Sequence, residues 1–312
     1  MTTLEDSKGE RSKDAASDIP KNGWVDRFLP PALRGYARLA RLDRPIGTWL
    51  LLFPCWWSIA LGALPLADTA WLFTLFGLGA VMMRGAGCTY NDIVDRDFDA
   101  AVARTADRPI PSGQVSAKRA AFFLLVQLLA SFVILLQLSA TAIWLGVASL
   151  VLVFTYPLMK RVTWWPQFFL GLAFNWGALM GYAAAVDGLD AAPVILYIGG
   201  IFWTLGYDTI YAHQDKEDDA LIGVKSSALR LGNATRGALY FFYTAAAATF
   251  AAAGFAAELG TVYYAFLAAG FGQLLWQAKT GRFDDAADCL AKFKSNRLFG
   301  WLLLAGIVLG GP

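Results

Sequence analysis

Nine stretches of about 20 residues are almost free of charge, and each is long enough to cross roughly 30 Å of hydrocarbon as a helix. They cover residues 46–64, 70–90, 119–138, 140–157, 164–186, 192–212, 237–257, 261–279 and 297–311. Composition agrees with a bilayer setting: 57% of the residues are hydrophobic and only 16% charged, which excludes an ordinary soluble domain. The expected fold class is all-α, a polytopic membrane protein with nine transmembrane helices. Only Ser139-Ala140-Thr141 interrupts the 119–157 stretch, which predicts a tight helical hairpin there.

The basic residues test this count. With the N-terminus on the cytoplasmic side, alternation places every Lys and Arg except Arg84 on that same side. Connections 65–69, around 139, 187–191 and 258–260 hold none. That bias fixes the orientation. An integral protein of a bacterial or mitochondrial inner membrane is expected, with its N-terminus on the cytoplasmic or matrix side. The first 45 residues lack an apolar h-region, so no cleavable signal peptide is expected. Residues 1–31 read as a polar, disordered tail and 32–312 as the membrane domain. Within 32–42, Leu33, Tyr36, Ala37, Leu39 and Ala40 oppose Arg34, Arg38 and Arg41, which suits either a surface-lying helix or a basic lead-in.

Two acid-rich segments stand at the ends of apolar runs. The first is Asn91-Asp92-Ile93-Val94-Asp95-Arg96-Asp97-Phe98-Asp99; the second runs from Asp208 to Asp219. If the second span continues as a helix past Tyr90, Asp92, Asp95 and Asp99 share a face within about 60°, with Asn91 at its edge and Asp97 opposite. Asp208, Asp215 and Asp219 fall within about 40°, flanked by Tyr211. Carboxylates so close to lipid are costly unless a cation needs them. One such stripe reads equally as solvated cap charge; two on one side point to divalent metal. Three Cys in spans or on the cytoplasmic side give no disulfide framework, and His213 is the sole histidine. Haem bis-histidine ligation and most zinc sites are thereby excluded, so the metal must be hard and held by oxygen. Magnesium favours a few carboxylates, water and phosphate oxygens, so facing stripes suit ions around one diphosphate.

Basic residues trail each stripe. Arg104 and Arg108 follow the first; Lys225 follows the second, which itself contains Lys216. Arg suits bidentate phosphate contact, whereas Lys acts as a point charge. Arg84 lies inside a span, two turns before Asn91 on the same face, and an intramembrane Arg is a functional candidate or a structural ion pair. Tyr156, Lys160 and Arg161 end the fourth span, where the two cations suit an anionic aromatic substrate or serve topology alone. Tyr156, Phe202, Trp203 and Tyr207 are candidates to shield a carbocation.

The run from Arg84 through Asn91-Asp92 to Asp99 resembles the first motif of the UbiA superfamily of intramembrane prenyltransferases. Arg104-Thr-Ala-Asp-Arg108-Pro-Ile-Pro-Ser-Gly is similar to the stretch just after that motif in the superfamily. Tyr207-Asp208 through Lys225-Ser-Ser resembles the second motif, and Leu42-Asp43-Arg44-Pro45 and Tyr156-Pro-Leu-Met-Lys160-Arg161 also fit. The resemblance runs from about residue 40 to the C-terminus and is closest to the ubiquinone-pathway branch. It implies nine helices around a central cavity under cytoplasmic loops. It implies magnesium-dependent transfer of a polyprenyl chain from polyprenyl diphosphate to 4-hydroxybenzoate. Asn91, Asp92, Asp95, Asp99, Asp208, Asp215 and Asp219 would hold the metal. Arg84 and Arg161 would meet the aromatic carboxylate or the diphosphate, and no nucleic acid is expected as a partner. Other aromatic acceptors in the superfamily remain open. A cation or phosphate transporter is the reading from a different class, but transporters more often place charge near mid-bilayer.

Overall fold

In a computed structural model, residues 19–20, 22–102 and 105–311 are described, and no strand occurs among them. The helices are α1 (Trp24–Phe28), α2 (Pro31–Leu39), α3 (Ile46–Leu61), α4 (Leu66–Val94) and α5 (Arg96–Ala101). Next come α6 (Ala117–Leu135), α7 (Ala140–Thr155), α8 (Met159–Val162), α9 (Pro166–Asn175) and α10 (Gly177–Val186). The remainder are α11 (Ala191–Ala212), α12 (Lys216–Ile222), α13 (Ser227–Leu231), α14 (Thr235–Ala256), α15 (Thr261–Thr280) and α16 (Ala286–Leu309). A helical solution is what a bilayer demands, because each helix bonds its own backbone polar groups.

Among the described residues, six helical segments are long and apolar enough to cross a membrane: Leu66–Val94, Ala117–Leu135, Ala140–Val162, Pro166–Val186, Ala191–Asp215 and Ser227–Ala256. The other three predicted spans also fall on helices. Ile46–Leu61 is apolar but short, whereas α15 and α16 dilute their apolar runs with Gln273, Gln277, Lys292 and Asn296. The chain breaks between α6 and α7 where expected, and Ser139 caps α7 by accepting from the Ala142 N–H at 3.3 Å. The predicted fifth span is broken at Asn175–Trp176 into α9 and α10. The ninth begins earlier than predicted, because Asp285 caps α16 by accepting from the N–H groups of Ala287 and Asp288.

The chain divides into two packing units. One combines the described residues up to Pro45 with Val81–Phe132. Here α2 buries Gly35, Ala37 and Leu39, with Leu39 clustered on Val115 and Ala120, so this helix lies on protein along that face. Arg38 pairs with Asp26 of α1. Gly85 of α4 lets Ala40 approach so closely that a Cβ would lie 3.1 Å from that residue's own. One turn on, Thr89 donates to Gln127 of α6 at 3.2 Å.

The second unit comprises Ile46–Ala80 and the residues from Val133 on. Its core is aromatic: Phe53, Trp57, Trp203, Tyr207, Tyr243, Phe250, Tyr263 and Phe299 are all fully buried. Polar tips inside it find partners, as they must where water is absent. Trp57 donates to the Gly300 carbonyl and Trp203 to Asn296 Oδ1, both at 2.9 Å. Tyr243 donates to Gln277 at 2.8 Å. Gly177 and Gly181, one turn apart, let α10 lie against Cys55 of α3, where any Cβ at Gly181 would strike the Cys55 carbonyl.

Candidate active site at two acidic helix ends

Both acidic segments are built alike. In the first, α4 runs to Val94, bends at Asp95 (φ −98°, ψ 6°) and resumes as α5. The hydrogen-bond ladder carries through the bend, with Asp95 N–H to the Asn91 carbonyl and Asp99 N–H to the Asp95 carbonyl, both 2.8 Å. In the second, α11 passes through a single 3-10 turn, His213–Asp215, into α12. Asp215 has φ −109° and ψ 4°. An acid thus sits at each joint in the sparsely populated bridge region, where active-site residues are often found.

The helical phase holds in the first segment. Asp92 and Asp95 are fully buried and Asp99 nearly so, while the Asp97 side chain is 89% exposed beside Arg96. Arg41 donates to Asp92 Oδ1 at 2.7 Å and to the Arg38 carbonyl at 2.9 Å. Arg108 reaches both oxygens of Asp99, at 3.0 and 2.9 Å, and Asp92 Oδ1 at 3.4 Å. Thr105 donates to the Asp99 carbonyl at 2.8 Å, shaping the loop that delivers Arg108. The other Asp92 oxygen, Oδ2, is buried and has no hydrogen-bond partner among the described residues.

Both readings of residues 32–42, a surface-lying helix or a basic lead-in, leave Arg41 outside the protein; it is instead buried against Asp92. The helix stops at Leu39, and Arg41 takes a left-handed backbone (φ 56°) that turns its side chain inward. For a non-glycine residue that conformation is strained, and such strain concentrates at functional sites. Sequence reasoning missed this pairing. Its one available signal was the adjoining Leu42-Asp43-Arg44-Pro45, whose Asp43 is 4% exposed beside Arg44.

The remaining candidates of this unit, Arg84 and Asn91, are half-buried on α4. Arg104 lies outside the described residues.

In the second segment Asp208, Tyr211, Asp215, Lys216 and Asp219 are half-buried. Thr209 and Ser227 share a 2.7 Å hydroxyl contact, and the Ser227 N–H donates to Gln167 at 3.1 Å. The basic candidates converge here. The Lys225 N–H donates to the Lys160 carbonyl at 2.9 Å and its Nζ to the Val162 carbonyl at 3.1 Å, above the Trp164 ring. Lys225, Lys160 and Arg161 therefore belong to one corner, with Tyr156 at the start of the 3-10 turn before α8. Among the proposed shielding aromatics, Trp203 and Tyr207 are sunk in the core, ring centres 5.0 Å apart. Their size and apolar faces suit packing, and Phe202 is half-buried against Phe241.

Among the described residues, no three Asp, Glu, His or Cys side chains close on a point as a ready cage. Magnesium does not require one, since it keeps waters and takes phosphate oxygens. The donor set fits it: all-oxygen, anionic, with one buried carboxylate oxygen lacking a partner.

Residues 51–304 match the model of the UbiA prenyltransferase family. The chain belongs to that family. A UbiA relative from Arabidopsis thaliana, "4-hydroxybenzoate polyprenyltransferase, mitochondrial", is 52% identical over 97% of this chain and 75% of its own length. Among solved structures, the apo UbiA homolog from Aeropyrum pernix K1 superposes with a TM-score of 0.71 at 26% identity, covering 84% of this chain and 97% of that one. A UbiA homolog from Archaeoglobus fulgidus, solved with GPP and Mg2+, superposes with a TM-score of 0.61 over 87% of this chain and 99% of that one. At 14% identity it speaks for the fold alone. Fold, membrane setting and prenyltransferase class are thereby established, and the transporter reading falls away.

Proposed function

We propose that this protein transfers a polyprenyl group from polyprenyl diphosphate to the ring carbon ortho to the hydroxyl of 4-hydroxybenzoate, in ubiquinone biosynthesis. The observation that carries this reading is the 52% identity, across 97% of the chain, to a relative named for that reaction. The half-buried acids and the arginine-bound carboxylates give it a chemistry.

In this reading Asn91, Asp92, Asp95 and Asp99, with Asp208, Asp215 and Asp219, hold magnesium for the diphosphate. Bound there, magnesium supplies positive charge to the diphosphate as it leaves. Arg41 and Arg108 occupy Asp92 Oδ1 and so leave Oδ2 as the oxygen available to the ion, the usual part of a partner behind a ligand. Arg84, Lys160, Arg161, Lys216, Lys225, Tyr156 and Tyr211 are the proposed contacts for diphosphate and acceptor carboxylate. The C1–O bond of the prenyl diphosphate breaks with its electron pair leaving on oxygen. The ring carbon beside the phenol then bonds to the allylic cation and loses its proton. Such charge separation is where fixed protein charges help most. The N-terminus and both acidic segments face the cytoplasm or matrix.

The test is an assay of the purified protein in detergent or nanodiscs, with magnesium or with chelator. 4-Hydroxybenzoate competes there with other phenolic acceptors, and products are read by mass. Prenylated 4-hydroxybenzoate, lost with chelator, is expected. Turnover of another acceptor in its place would overturn the choice of substrate.

A further inference from the structure

The chain has one histidine, and it is buried beside the second acidic joint. His213 opens the 3-10 turn that ends on Asp215. Its Nε2 lies 3.0 Å from Oγ1 of Thr235, the first residue of α14. The Thr235 hydroxyl also lies 2.8 Å from the Gly232 carbonyl, so it bridges the imidazole and the turn before α14, with the ring tautomer setting which partner donates in the His213 bond.

The imidazole also leans on Phe283, with ring centres 5.2 Å apart. Phe283 in turn lies 5.3 Å from the Arg236 guanidinium. That guanidinium binds the carbonyls of Ala278, Lys279 and Gly281, the last turn of α15 and the residue after it. Last-turn carbonyls have no partner within their helix, and an Arg there satisfies them. The loop that His213 touches is thus itself fastened.

A single 3-10 turn has poor hydrogen-bond geometry and holds itself weakly. In the first segment the acids beside the joint are gripped by Arg41 and Arg108. In the second, the side chain two residues before the joint acid is this imidazole. We propose that His213 and Thr235 are positioning residues for Asp215: the imidazole ties the turn to α14 and to the α15–α16 connection, setting where the Asp215 carboxylate meets a divalent cation. This rests on the reading of Asp215 as a metal ligand given above.

Thr235→Val, Thr235→Ser, His213→Gln and Asp215→Asn are compared with the intact wild-type enzyme. Mn2+ binding is followed by electron paramagnetic resonance without substrate, alongside thermal midpoint and the magnesium needed for half-maximal rate. Thr235→Val is expected to weaken Mn2+ binding and raise the magnesium requirement by about tenfold, the scale of losses behind a metal ligand. Thr235→Ser, which keeps the hydroxyl, should restore both, and His213→Gln, which keeps a donor, should fall between. A lowered thermal midpoint with unchanged Mn2+ affinity in Thr235→Val would overturn the positioning role. If Asp215→Asn itself leaves Mn2+ binding untouched, the ligand assignment fails instead. Thr235→Val and Thr235→Ser keep the histidine, so the proposal is decided even if His213→Gln does not fold.

Discussion

The two acidic segments are alike in a joint whose acid has bridge-region dihedrals and differ in how deeply their acids are buried. The first is locked by charge: Asp92 and Asp99 are buried on Arg41 and Arg108. The acids of the second are half-buried, and among the contacts around them are two neutral ones, Thr209 to Ser227 and His213 to Thr235. A buried carboxylate without its arginine is an uncompensated charge, whereas a neutral stitch lost costs one hydrogen bond. The first segment should therefore answer to mutation through folding as well as chemistry, and the second mainly through the placement of its acids.

The sharpest challenge to this comparison lies in the acids themselves. Asp92→Ala and Asp215→Ala should each lower kcat by about 10²–10³-fold or more, the scale of losing one charge-stabilising group. A large loss at only one of them would mean that a single segment does the chemistry. Next is Arg41→Ala, which leaves Asp92 only its longer contact with Arg108 and should cost up to about 3–5 kcal/mol of stability, read by thermal or denaturant unfolding. Arg41→Lys should lose less, because it keeps the charge but not the second bond to the Arg38 carbonyl. An Arg41→Ala protein as stable as wild type would break the idea of a charge-locked segment. Ser227→Ala should cost only about 1 kcal/mol in the same measurement, with kcat changed little. A loss there as large as that of Arg41→Ala would erase the distinction. Smallest is Asp97→Ala, expected within about 0.5 kcal/mol of wild type and nearly fully active. Activity lost to the level of Asp92→Ala would undo the stripe geometry.

Much of this was legible in the chain. Helix positions and the break between α6 and α7 follow from apolar length and a capping serine. The burial of Asp92, Asp95 and Asp99 and the exposure of Asp97 follow from helical phase, because the ladder survives the bend at Asp95. The pairing of Arg41 with Asp92 was not legible. It joins residues 51 positions apart, and by composition Arg41 was one more positive charge on the cytoplasmic side. His213 was informative only for what it excluded, since a partner 22 positions away on another helix leaves no local period. Trp203 and Tyr207 misled because size and aromaticity suit a core as well as a cation, and only packing distinguishes the two. The start of α16 was misjudged because its first turns are polar, and hydropathy does not register a cap.

Those polar turns carry a consequence for how the protein enters its membrane. Asn296 of α16 binds Trp203 of α11, and Gln277 of α15 binds Tyr243 of α14. In both bonds the donating side chain precedes its acceptor in the chain. The amide N–H groups of this pair are met inside it: Gln273 and Gln277 donate to Ser295 Oγ and Asn296 donates to Gln277 Oε1, which lowers the cost of carrying amides into lipid. The C-terminal pair can thus enter the bilayer as a hairpin that carries its own polar partners, and the indole of Trp203 and hydroxyl of Tyr243 then fasten it to helices already laid down.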